Sequence, residues 1–130
     1  MDTVANLSEA ESNQQNFKPN NQPFTNDEVQ IINNQLDKFQ NKLIEIINTE
    51  RLSQEKTILL IESVKSKISD LKTEAANQKI GRKDWKNQLI NAMINLMLIL
   101  SFSQEARNTI QIFFHELFIY LQQHIFLLKP

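Results

Sequence analysis

Residues 85–128 read WKNQLINAMINLMLILSFSQEARNTIQIFFHELFIYLQQHIFLL, and this stretch holds five of the eight phenylalanines and the one tryptophan of the chain. It contains neither glycine nor proline, so nothing in it forbids a helix. The apolar run is interrupted only at Ser101-Phe102-Ser103, where Ser103 followed by Glu105 gives a helix start. Two apolar helices joined by a short link therefore form the centre that the remaining chain must cover.

The third helix of the chain (about residues 82–101) places Trp85, Leu89, Ala92, Met93, Leu96, Ile99 and Leu100 on one face. A polar stripe of Gln88, Asn91 and Asn95 runs along another side. Ile90, Ile94, Met97 and Leu98 fall outside the main face, which makes the apolar sector wider than packing on one neighbour requires. The fourth helix (about 104–128) has its main face at Ile110, Phe113, Phe114, Leu117, Leu121, Ile125 and Leu128. A second line, Ile112, Ile119 and Phe126, repeats every seventh residue on the opposite side, bordered by Gln111, His115, Gln122 and Gln123. One bundle core does not use both sides of a helix.

Upstream, Thr25 and Glu28 form a capping box, Asp27 and Glu28 suit the positive helix end, and Phe24 is placed to staple against Val29. Val29, Ile32, Leu36, Phe39, Leu43 and Ile46 then alternate three- and four-residue steps, the pattern of a narrow packing seam, so a first helix is expected over about 26–49. A second, about 54–77, begins after Ser53 as N-cap and repeats the seam at Ile61, Val64, Ile68, Leu71 and Ala75. Gly81, the single glycine, is expected to make the following turn in a left-handed conformation. Residues 1–23, rich in Asn, Gln and Ser, lack an apolar face to offset the ordering entropy of about 1–2 kcal/mol per residue, and are expected to be a disordered tail.

The fold expected is all-α: one helical domain over 24–130, either a four-helix bundle or two packed antiparallel hairpins. With 14 basic and 15 acidic residues the chain lacks the one-signed field of a dedicated nucleic-acid binder. Arg82-Lys83-Asp84-Trp85-Lys86 is too interrupted by acids to change that, and Trp85 opens an apolar periodicity, which marks it as a core residue. Zero cysteines exclude disulfides and thiolate chemistry. They fit a cytoplasmic setting, as does a start that lacks the features of a secretory signal.

His115-Glu116 resembles half of a zinc-protease motif, but Ile119 stands where the second histidine belongs and His124 lies on another side of the helix. No paired carboxylates, serine–histidine–aspartate set or glycine-rich phosphate loop stands out, so neither metal, cofactor nor catalysis is expected. The surplus apolar surface points instead to assembly, with itself or with a protein partner, through Ile112, Ile119 and Phe126 bordered by His115 and Gln122. The competing expectation is a membrane-associated hairpin inserting residues 85–128. Asn91, Asn95 and Glu116 weigh against that, since polar groups at bilayer depth are costly.

Overall fold

A computed structural model of the chain describes residues 19–126. Four helices follow in order: α1 (Asn26–Thr49), α2 (Gln54–Ala75), α3 (Arg82–Ile99) and α4 (Gln104–Leu121), the last continued by a π turn at Gln122–Phe126. The described residues hold no strand.

Local chemistry sets most of the ends. At α1 the capping box is complete: the Glu28 amide donates to the Thr25 hydroxyl (3.2 Å) and the Thr25 amide to the Glu28 carboxylate (2.8 Å), so two orphan amides of the first turn are satisfied. Ser53 and Ser103 cap α2 and α4 by accepting from the amides of Lys56 and Ala106, each at 3.1 Å. Helix α2 stops two residues earlier than its periodicity suggests, because the Asn77 side chain accepts from the Lys79 amide (2.9 Å) and turns the chain. Helix α3 likewise ends at Ile99 rather than 101. Of the expected span of α4, Leu127 and Leu128 lie outside the described residues.

The helices form a closed square in which α1 packs on α2 and α4, and α3 on α2 and α4. Contacts run in opposite senses along neighbours: Trp85 near the start of α3 reaches Leu71 near the end of α2, and Lys86 near the start of α3 reaches Gln122 after α4 (3.4 Å). Lys72 near the end of α2 reaches Asp37 in the first half of α1, while Arg82 joins Glu28 at the start of α1 to Ile125 after α4 and Lys42 farther along α1 lies over Phe113 of α4. Every adjacent pair is thus antiparallel, the four-helix-bundle alternative of the two expected architectures. The seams meet at the centre, where Ile32, Leu36, Leu43, Val64, Trp85, Leu89, Leu96, Ile110 and Leu121 are fully or almost fully buried. Trp85 is the largest of them; its indole Nε1 donates to the Leu71 carbonyl (2.8 Å), and Phe24 meets its ring edge-on at 5.4 Å.

The segment before α1 departs from expectation. Residues 1–18 of the proposed tail lie outside the described residues, but residues 19–23 belong to the domain. Pro19–Asn21 makes a short 3-10 turn, and the Gln22 carbonyl accepts from the Arg82 backbone amide (3.0 Å). The Asn21 side chain accepts from the Lys83 amide (2.7 Å) and donates to Asp84 (3.4 Å). Composition alone assigns these five residues to the tail because their anchoring is polar and comes from α3, sixty residues on.

Gly81 is also corrected. Its φ of −78° and ψ of 162° are ordinary extended backbone at the N-cap of α3, not a left-handed turn. Glycine is needed there for space: a Cβ would overlap the backbone and side-chain oxygens of Asn21, which lie directly on it. Gly81→Ala is therefore expected to lower stability by about 1–3 kcal/mol, the usual range for overpacking. A thermal melt checks this, and an unchanged melting temperature would mean that the Asn21 strap does not sit on Gly81 in solution.

Candidate interaction surface

Three grooves between helices differ sharply in lining. The α1–α4 groove, about 190 Å³, is rimmed by Lys38, Lys42 and Glu116, and Lys42 lies over the Phe113 ring at 4.9 Å. The α2–α3 groove, about 240 Å³, is lined by Lys67, Asp70 and the stripe Gln88, Asn91 and Asn95. Asn91 and Asn95 are exposed there, so that stripe is a solvated strip rather than an amide network setting helix register.

The α3–α4 groove, about 360 Å³, is lined by Ile90, Met93, Ile94, Met97, Leu98, Gln111 and Phe114, without an ionisable side chain. It is apolar because the four α3 residues outside the main face, Ile90, Ile94, Met97 and Leu98, all lie along the edge facing α4 or water. Ile94 is 54% and Leu98 73% exposed. Helix α4 lines the groove with Gln111 and Phe114 and carries Ile112, 56% exposed, and Ile119, 41%, on its outer side. These are large aliphatic groups left in water on two adjacent helices. A further exposed pair, Ile58 and Leu59, lies on the first turns of α2, away from this face.

The five residues singled out on α4 do not stay together. Ile112, Ile119 and His115 share the exposed outer side, as their spacing implies. Gln122 turns toward α3, half-buried, and accepts from Lys86 Nζ. Phe126 leaves the line altogether: it is half-buried against Trp85 (6.1 Å) and Phe118 (5.8 Å), with Lys86 over its ring at 5.4 Å. The π turn is the physical reason, since it changes the angular step of the helix just before Phe126.

The residue that the sequence concealed is Arg82. It sits in a basic cluster yet is only 3% exposed. Its guanidinium makes a fork to Glu28, with Nη1 and Nη2 each 3.0 Å from a carboxylate oxygen. It also donates to the carbonyls of Gln22 (3.0 Å), Pro23 (3.3 Å) and Ile125 (2.7 Å), and stacks over Phe24 at 5.2 Å. One side chain thus joins the N-terminal strap, the start of α1 and the end of α4. Burial pushes the Glu28 carboxyl upward, but hydrogen bonds from Arg82 and Thr25 together with the Arg82 charge outweigh it, leaving the group below its ordinary value.

Among the described residues no three His, Cys, Asp or Glu side chains come together as a metal site, and no helix is long and apolar enough to cross a membrane. Fold and surface together define an antiparallel four-helix bundle with an uncharged apolar face on α3 and α4. No family model matches the chain, and comparison with curated proteins and with solved structures returns no match.

Proposed function

We propose that the protein is a non-enzymatic assembly module whose α3–α4 face binds a second copy of the chain. The observation that carries this is the α3–α4 groove, lined without a single ionisable group and including exposed Ile94 and Leu98, together with exposed Ile112 and Ile119 on the outer side of α4. Exposed large apolar groups grouped on two adjacent helices are uncommon on monomers, and polar residues such as Gln111 at their border are typical of an interface edge. A self-pairing is favoured over a charged partner because a two-fold interface brings a patch onto itself. An uncharged patch does so without like-charge repulsion.

The test is light scattering on the wild type and two double variants, Ile94→Glu with Leu98→Glu and Ile112→Glu with Ile119→Glu. Each pair is expected to reduce the mass to that of a monomer with helicity unchanged, because a carboxylate cannot be desolvated in an apolar contact without heavy cost. A wild type that is monomeric up to high concentration, or variants that keep the oligomeric mass, would remove the self-association reading. Co-sedimentation with liposomes, run alongside, detects the membrane-associated alternative.

A further inference from the structure

Helix α4 does not keep its periodicity to the end. At about 100° per residue, positions seven apart fall within about 20° of each other. A continued α-helix would therefore put His124 on the stripe of Ile110 and Leu117, both buried, and Phe126 on the stripe of Ile112 and Ile119, both exposed. The structure has the reverse: His124 is exposed, Ile125 is fully buried and Phe126 is half-buried. A single π turn accommodates one extra residue, so each later side chain moves back one position. Ile125 occupies the slot that a continuous helix would give to His124, and Phe126 the slot of Ile125.

π geometry is rare and needs a local cause. Apolar exchange is one, since Ile125 replaces an imidazole in the core. The ring of His124 against Tyr120 (4.2 Å) is a second, and Arg82 is a third: its Nη1 meets the Ile125 carbonyl at 2.7 Å in a buried position, while the same guanidinium is held by Glu28 and by the carbonyls of Gln22 and Pro23. The arginine thus gives the buried Ile125 carbonyl a charged donor in the π form, and a buried carbonyl needs a partner.

We infer that Arg82 is a latch that sets the terminal register of α4: engaged, it stows Phe126 against Trp85; released, it lets the turn revert to α-helix, which turns His124 inward and Phe126 outward beside Ile119. Strap and Glu28 are the levers, because they position the guanidinium. Release would lengthen the exposed Ile112–Ile119 line by one large aromatic group. The latch itself is independent of whether that line meets a second copy.

The chain has no cysteine, so single thiols report cleanly. His124→Cys and Phe126→Cys are made in the wild-type background and with Arg82→Met, and maleimide labelling is followed at a concentration where light scattering gives a monomer. With Arg82 present, Cys at 124 should react on the order of tenfold faster than Cys at 126, and with Arg82→Met the order should invert. Both positions fast would mean that the end frays rather than changes register, and an unaltered order would mean that Arg82 does not set it; either result overturns the latch. If Arg82→Met lowers helicity by circular dichroism, Glu28→Gln serves instead, since glutamine keeps the capping box while losing the charge. There the ratio of the two rates should move toward inversion by at least about threefold, and an unmoved ratio is again fatal.

Discussion

Replacing Trp85 by alanine is expected to cost about 3–5 kcal/mol, the usual range for deleting a buried aromatic side chain. The indole is fully buried, closes an edge-on contact with Phe24 and gives its one donor to the Leu71 carbonyl, so it ties α3 to α2 and to the strap before α1 at once. Small domains have a total stability of about 5–15 kcal/mol, so the variant should lose a large share of its cooperativity margin. A urea titration followed by circular dichroism measures it, because the fluorophore itself is removed. Trp85→Phe retains much of the volume but not the donor, and should lose less. A loss below about 1 kcal/mol for the alanine variant would return Trp85 to the surface role that its basic neighbours suggest, and with it the stacking contact of a nucleic-acid binder.

The features legible in the sequence are those that nearest neighbours along the chain determine. Thr25 and Glu28 stand three apart and cap α1 as their spacing requires, and Ser53 and Ser103 do the same for α2 and α4. The stripes of Ile32, Leu36, Phe39 and Leu43 and of Val64, Ile68 and Leu71 are buried because a heptad-like spacing leaves them on one face. The surplus of Ile90, Ile94, Met97 and Leu98 was equally visible, and it lines the α3–α4 groove. Contacts between distant segments were hidden. Nothing local distinguishes Arg82 from Lys83: the first is buried among Glu28, Phe24 and the carbonyls of Gln22, Pro23 and Ile125, and the second is exposed. A constant helical step puts Phe126 beside Ile119, and the π turn, whose Ile125 carbonyl bonds to an arginine forty-three residues away, breaks that step. The polar stripe on α3 faces water, which its spacing alone does not decide, because amides serve water and interfaces alike.

Glu28→Ala is expected to cost about 3–5 kcal/mol at neutral pH, because it leaves a guanidinium that is almost wholly buried without a counter-charge. Part of that loss belongs to the cap, about 1 kcal/mol, and Glu28→Gln isolates the remainder since glutamine preserves the bond to the Thr25 amide. The same pair should make the wild type sensitive to acid. The folded-state value of Glu28 lies below its ordinary 4.5, so the unfolded chain takes up the proton first. Stability from this group is fully present above about pH 4.5 and is lost as the pH falls through the lower folded-state value. Melting temperatures recorded from neutrality down into that range should therefore fall more steeply for the wild type than for Glu28→Gln, which has no proton to gain at this position. Parallel curves would mean that Arg82 draws its compensation from the carbonyls of Gln22, Pro23 and Ile125 alone. In that case removing the carboxylate charge should cost little at any pH, and the junction of the strap, the start of α1 and the end of α4 would rest on neutral acceptors.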